Sequence, residues 1–133
     1  MQLKRHGGFA AFESPDGKSV YYTKDGVNGI WQVSVEGGEE TLVFESLNSS
    51  WWGNWAVVSD GIYFVSSKAK DDVGIEFFSF ATHRTTKITK IAGLKQEMLA
   101  STALVVSPDR RSILFGQAQG FRSGSLMLVE NFR

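Results

Sequence analysis

The chain has 133 residues and no formal net charge, since its 14 Lys and Arg balance 14 Asp and Glu. That balance removes the basic surface typical of nucleic-acid and anionic-membrane binders, and the lack of Cys excludes disulfides, thiolate metal ligands and Cys nucleophiles. Hydrophobic residues at 42% and charged residues at 21% predict one folded core rather than a disordered chain. We expect no signal peptide and no transmembrane segment, because no apolar run approaches the roughly 20 residues that cross a bilayer. The sequence does not indicate a cellular compartment.

Three related turn sequences recur along the chain at spacings of 45 and 48 residues: Ser14-Pro15-Asp16-Gly17, Ser59-Asp60-Gly61 and Ser107-Pro108-Asp109-Arg110. Pro presets φ for the first central turn position, Asp binds nearby backbone amides, and Gly tolerates a positive φ. Apolar or aromatic segments flank each turn. Each turn therefore predicts an antiparallel hairpin.

The segments around these turns predict strands that repeat in a fixed order. In chain order they are 9–12, 20–22, 29–35 and 40–44 in the first unit, 55–58, 62–65, 74–80 and 85–91 in the second, and 103–106, 113–115 and 124–129 in the third. Four antiparallel strands repeated every ~45 residues are typical of a β-propeller blade. We therefore predict an all-β fold of about three blades, at 7–45, 51–91 and 99–133, with residues 1–5 as the outer strand of a preceding or partner blade.

The first unit contains the stretches SPDGKSVYY at 14–22, GIWQV at 29–33 and GGEET at 37–41. Together they resemble the WD40-like repeat of TolB-like bacterial β-propellers. The resemblance implies half of a six-bladed TolB-like propeller, as the C-terminal portion of a longer one. It also implies a non-catalytic module for protein–protein interaction or ligand sensing, within a larger bacterial regulator or kinase. Two alternatives stay open: an accessory propeller of a prolyl-oligopeptidase-like peptidase, and a self-associating structural half-propeller.

The strand count adds an expectation about partners. The third unit lacks a fourth strand, whereas residues 1–5 supply a spare one, and three blades are fewer than the four to eight of ordinary propellers. Either further blades complete the ring, or two copies close a six-bladed ring as a homodimer. We expect the isolated chain to self-associate, and we expect a protein or neighbouring domain as its partner.

No arrangement typical of catalysis emerges from the residues. His6 and His83 fall in unrelated predicted turns, which does not match a zinc set. The stretch 120–124 resembles a nucleophile elbow but places its serine one position late, in a predicted hairpin loop. The acidic pairs at 39–40 and 71–72 are interpreted as solvated turn residues. We therefore predict no enzyme activity, no metal and no cofactor.

The predicted binding residues lie at loops between strands. Trp51, Trp52 and Asn54 belong to an aromatic cluster at the junction before the second unit, where we expect stacking on a partner or ligand. Phe121 and Arg122 lie in the loop before the last predicted strand. The alternative for the tryptophans is packing between blades.

Overall fold

The computed structural model describes residues 8–49, 53–69, 72–93, 103–118 and 124–132. Within these ranges eleven strands form three antiparallel sheets, and no α-helix is present. Accordingly, the described residues contain no helix with the length and hydropathy needed to span a membrane. The prediction of an all-β fold built from antiparallel blades is confirmed, while the strand predicted at residues 1–5 lies outside the described ranges.

The first two sheets have four strands each, paired in chain order. The first contains β1 (Phe9–Glu13), β2 (Ser19–Lys24), β3 (Val27–Ser34) and β4 (Thr41–Phe44). The second contains β5 (Trp55–Val58), β6 (Gly61–Ser67), β7 (Val73–Ser79) and β8 (Thr85–Lys90). The third has three strands in the described ranges, β9 (Leu104–Val106), β10 (Ser112–Ala118) and β11 (Gly124–Glu130).

The hairpin turn of the first sheet forms for the reason that its sequence indicates. Ser14 Oγ donates to Asp16 Oδ1 at 2.6 Å, and Asp16 Oδ1 also accepts the Lys18 amide at 3.1 Å. Ser14 Oγ in turn accepts the Ser19 amide at 2.9 Å, and Gly17 has a φ of 70°. The Ser-Pro-Asp sequence therefore closes the turn through its own side chains.

The third sheet repeats this turn atom by atom. Ser107 Oγ donates to Asp109 Oδ1 at 2.6 Å, and the amides of Arg111 and Ser112 bind Asp109 Oδ1 and Ser107 Oγ at 3.1 and 3.0 Å. Arg110 occupies the left-handed position with a φ of 59°. A side chain therefore stands where the first sheet has glycine.

The chain divides into two compact units: Met1–Trp52 with Val57–Ser59, and Gly53–Ala56 with Asp60–Arg133. The core of the first unit comes from the first sheet and the segment after it. Its buried apolar residues are Tyr21, Tyr22, Ile30, Val33, Phe44 and Leu47.

The second unit contains the third sheet and most of the second. In β6 four consecutive residues, 62–65, are buried, which means that both faces of this strand lie in the interior. Trp55, Val73 and Ile75 extend the same core, and Ile113 and Phe115 belong to it from the third sheet.

Candidate functional site

The structure describes one of the five predicted binding residues. Asn54 lies immediately before β5 and is 1% exposed, and its carbonyl oxygen accepts the Val65 amide at 2.8 Å. Trp51, Trp52, Phe121 and Arg122 lie outside the described residues. Partner binding at these five positions therefore stays a prediction.

An exposed apolar surface covers one face of the third sheet. Leu114 pairs with Val105 on one side and Leu128 on the other, and Leu126 lies two residues further along the same face. The exposed fractions are 59% for Val105, 38% for Leu114, 75% for Leu126 and 56% for Leu128. We call these four side chains the open face.

The other face of the same sheet is buried. Leu104, Ile113 and Phe115 alternate with the open-face residues along β9 and β10, and all three lie in the core. Polar residues normally occupy the solvent side of such an alternation. Here both sides are apolar, as in a sheet that is packed on both faces.

The second sheet shows how the matching surface is covered. Tyr63 in β6 corresponds to Leu114 in β10, because each is the third residue of its strand. Tyr63 pairs with Phe77, and in the same way Leu114 pairs with Leu128. The rings of Tyr63 and Phe77 are 4.7 Å apart. Phe132, just after β11, meets Tyr63 edge to face at 5.8 Å. In the second sheet, therefore, residues from the third sheet cover the surface that corresponds to the open face.

Arg110 completes this cover. Its guanidinium lies 5.9 Å from the Tyr63 ring centroid and 5.7 Å from that of Phe77, and it forms a 2.6 Å ion pair with Asp60. The hydrogen bond to Asp60 raises the pKa of Arg110 above its ordinary value. The cation therefore stays charged and ties the turn before β10 to the start of β6.

Among the described strands, none pairs with the outer edge of β11 in the third sheet. β11 is the outermost strand of the order β11-β10-β9, whereas β3 and β7 each carry a fourth strand on that side. Ile30, Ile75 and Leu126 occupy equivalent positions in β3, β7 and β11. In each case the next residue along the chain pairs with the fourth residue of the neighbouring strand, which is β2, β6 or β10. Ile30 and Ile75 are 0% exposed. The 75% exposure of Leu126 therefore accompanies the lack of a fourth strand in the described part of this sheet.

A second polar cluster brings together residues of the first sheet. Lys24 Nζ lies 2.7 Å from Glu40 Oε1 and 3.6 Å from the centroid of the Trp31 ring, while the Tyr22 hydroxyl donates to Glu40 Oε2. Burial raises the pKa of Tyr22. Trp31 Nε1 is buried without an acceptor among the described residues. Glu40, interpreted from sequence as a solvated turn residue, instead joins β2 to the segment before β4.

Two further acidic side chains in or beside the second sheet form ion pairs. Glu76 is buried and pairs with Lys68 at 3.0 Å. Asp72 pairs with Lys87 at 3.2 Å, and this hydrogen bond lowers the pKa of Asp72. No group of three or more His, Asp or Glu in the described ranges is arranged to hold a metal.

The residues of the open face were not singled out from the sequence. The signal in the sequence was the apolar run Leu126-Met127-Leu128-Val129, which has no alternation with polar residues. Such a run is typical of a strand that is covered on both faces. It therefore agrees with the exposed apolar side chains of β11.

The comparisons with known proteins place the fold. No protein-family model matches the chain, and no curated protein matches it in sequence. The crystal structure of TolB from Acinetobacter baumannii matches 96% of this chain with a TM-score of 0.67 and 17% sequence identity. The chain spans 30% of the length of that TolB chain. The likeness shows that the chain has the fold of part of a TolB-like β-propeller.

Proposed function

We propose that this chain is a non-catalytic β-propeller module that binds a protein partner, as part of a larger bacterial regulator or kinase. The observation that carries the proposal is the open face, four large aliphatic side chains that are each more than a third exposed. Contiguous apolar patches of this kind on folded proteins mark interaction surfaces. The TolB-like fold supports the same reading.

The energetics favour occupation of this face. Burial of apolar surface contributes about 25 cal/mol per Å², so complete burial of each of these side chains stabilises a complex by about 1.5–3 kcal/mol relative to full exposure. Leu126 and Leu128 are each more than half exposed, so most of their apolar surface is still accessible to a partner. A partner with a complementary apolar sheet face gains most from this site.

In the absence of a partner, the same physics drives self-association of the isolated chain. Closure of a six-bladed ring by a homodimer is the form of association that we propose. The blade units 7–45, 51–91 and 99–133 and the outer-strand assignment of residues 1–5 are part of this proposal.

Ligand or partner contacts at Trp51, Trp52, Asn54, Phe121 and Arg122 are a separate part of the proposal. Replacement of Trp51 and Trp52 by Ala is expected to abolish partner binding with little change in Tm. A large fall in Tm would assign both side chains to packing instead.

The experiment that tests the function is sedimentation of the purified chain across a concentration series. We expect the mass to rise reversibly with concentration for the wild type and to remain monomeric for the double variant Val105→Lys/Leu114→Lys. Val27→Lys is the matched control, because Val27 is 46% exposed on β3 and lies outside the open face. A wild type that stays monomeric throughout, with the same mass as the double variant, would contradict the role of the open face.

A further inference from the structure

The register of the three sheets indicates which side chains meet when two copies close a ring. We propose that Glu36 of one copy forms an ion pair with Arg111 of the other, and that opposite charges on the two units direct the two copies into a head-to-tail arrangement. This inference rests on the proposed function and specifies which surfaces of the two copies meet.

Backbone hydrogen bonds identify equivalent positions at the turn end of each sheet. In every sheet the residue before the second strand accepts, at its carbonyl oxygen, the amide of the residue just after the third strand. These amide-to-carbonyl pairs are Val35 to Lys18 and Phe80 to Asp60 at 3.0 Å, and Asn131 to Arg111 at 2.9 Å. Arg111 therefore has the position of Asp60, and Glu36, the next residue after Val35, has the position of Phe132.

The contact between the second and third sheets shows which side chains meet at these positions. Arg110 and Phe132 of the third sheet both contact the ring of Tyr63. Arg110 also forms its ion pair with Asp60. The covering sheet therefore supplies a cation and a ring, and the covered sheet supplies the anion.

Ring closure by a second copy places the first sheet of one copy over the open face of the other, because the sheets of a ring follow one another in order. Leu114 then has the part that Tyr63 has in the second sheet, since each is the third residue of its strand. The covering turn has Gly17 where the third sheet has Arg110. Glycine has no side chain, so this turn leaves space over Leu114 for another group.

Glu36 is the group that fits this space. At the position of Phe132, its carboxylate extends over Leu114 towards Arg111, which has the position of Asp60. Glu36 and Arg111 are both exposed in the single chain and are therefore accessible to each other between copies. The signs are the reverse of those in the Arg110–Asp60 pair, because the covering sheet now supplies the anion. Complementary charges at such a contact select the partner and fix its register.

The charges of the two compact units support the same arrangement. The first unit contains seven acidic and four basic side chains, and the second contains seven acidic and ten basic side chains, which gives formal charges of −3 and +3. A head-to-tail pair brings opposite charges together at both contacts of the ring, whereas contact between like units is repulsive. The charges therefore favour a second copy as the occupant of the open face.

The test measures dimerisation of the full chain by sedimentation equilibrium for two charge-reversal variants and their mixture. Glu36→Arg and Arg111→Glu each place like charges at both contacts of a homodimer, so each is expected to raise the dimer Kd at least about tenfold. In a mixed dimer of the two variants, one contact has exchanged charges and the other is wild type. An equimolar mixture is therefore expected to recover the wild-type Kd, as is the double variant Glu36→Arg/Arg111→Glu.

Two further substitutions are the charge-matched controls. Glu45→Arg and Arg84→Glu change the same charges at exposed positions that are not equivalent to Phe132 or Asp60. Each control, and their mixture, is expected to keep the dimer Kd within about twofold of the wild type. The Tm of every variant is measured as well, and Glu36→Gln with Arg111→Gln replaces any reversal that lowers Tm.

Salt provides a second readout that folding defects do not reproduce. Raising the salt concentration from about 0.1 M to about 1 M shortens the Debye length from about 10 Å to about 3 Å. We expect this change to weaken the wild-type dimer and to reduce the difference in Kd between the wild type and each single reversal. The apolar contacts of the open face are expected to retain part of the affinity at high salt.

The outcomes distinguish the ion pair from the proposed function. A mixture of folded variants that associates no better than its components, or reversals that act no differently from the controls, would overturn the ion pair. If Val105→Lys/Leu114→Lys still prevents self-association in that case, the proposed function stands without it. A wild type that stays monomeric at every concentration would overturn both.

Discussion

Arg110 adopts a backbone conformation that the matching turn of the first sheet assigns to Gly17, with φ values of 59° and 70°. The left-handed conformation costs a non-glycine residue about 1–2 kcal/mol. The ion pair with Asp60 and the contacts with the rings of Tyr63 and Phe77 offset this cost. The contacts of the Arg110 side chain therefore compensate for its unfavourable backbone conformation.

Two substitutions separate backbone strain from side-chain contacts at Arg110. Arg110→Ala keeps the strain and loses the contacts, whereas Arg110→Gly loses both. We expect Arg110→Ala to lower the free energy of unfolding by about 1–2 kcal/mol and Arg110→Gly by about 1 kcal/mol less than that. Urea denaturation measures both values. An Arg110→Gly variant more stable than the wild type would show that the ion pair and ring contacts contribute less than the strain costs.

The carboxylates of the two Ser-Pro-Asp turns predict an acid-sensitive component of stability. Hydrogen bonds from Ser14 and Ser107, followed by those from backbone amides, lower the pKa values of Asp16 and Asp109 below 3.8. A lowered folded pKa stabilises the fold above the unfolded pKa, and this contribution disappears as the pH falls through the folded pKa. We therefore expect stability to fall below about pH 4.

The double variant Ser14→Ala/Ser107→Ala tests the cause of this loss. Without the serine hydroxyls, the pKa values of Asp16 and Asp109 are expected to rise toward 3.8. The variant should then lose less stability than the wild type between pH 5 and pH 2. Thermal denaturation at stepped pH measures the difference, and parallel curves for the two proteins would contradict it.

At the scale of the element, β6 begins at a position where the neighbouring strand β7 leaves no room for a side chain. A Cβ on Gly61 would overlap the Phe78 carbonyl oxygen and the ring of Phe77. The equivalent first residues of β2 and β10 are Ser19 and Ser112. The nearest obstacle to a Cβ on Gly61 is the backbone carbonyl oxygen of Phe78, followed by the ring of Phe77.

Gly61→Ala is therefore expected to destabilise the chain by about 1–3 kcal/mol through steric overlap within β6 and β7. Ser112→Ala, at the matching position of β10, is the control and is expected to change the free energy of unfolding by less than about 0.5 kcal/mol. Chemical denaturation of both variants provides the comparison. Equal effects would contradict the steric argument.

The strands and turns were largely predictable because their signals are local. The Ser-Pro-Asp sequences predict their hairpins, and the period of apolar segments predicts the four-strand order seen in the first two sheets. The ion pair of Arg110 with Asp60 was not predictable, since these residues are 50 positions apart and meet only after two sheets pack. Val43 in β4 and Ile88 in β8 are extra residues that form bulges against β3 and β7, and these bulges also escaped prediction because register depends on both strands of a pair.

The candidate site was less predictable than the fold for a related reason. Exposure of Leu126 depends on which strand lies beside β11, and the sequence of β11 itself resembles that of a covered strand. The Lys24–Glu40 pair likewise depends on the path of the segment before β4. Such features arise from neighbours in space rather than from neighbours in sequence.

At the scale of the whole molecule, the division into two compact units predicts how the chain loses structure. Ile30 in the first unit and Ile113 in the second are both 0% exposed, so truncation to Ala removes a comparable number of buried atoms. Each variant is expected to lose about 2–5 kcal/mol of local stability. Because each unit has its own buried core, the loss is expected to concentrate in the unit that carries the substitution.

Native-state amide exchange tests this expectation directly. Ile113→Ala should accelerate exchange in β9, β10 and β11 and, to a smaller extent, in β6 and β7, while β2 and β3 keep their wild-type protection. Ile30→Ala should produce the reverse pattern, which makes each variant the control for the other. The opening of β11 is expected to require less free energy than that of the central strand β10, because β11 pairs on one side only within the described residues. Equal acceleration of every strand by both variants would instead show that the chain unfolds as one cooperative unit.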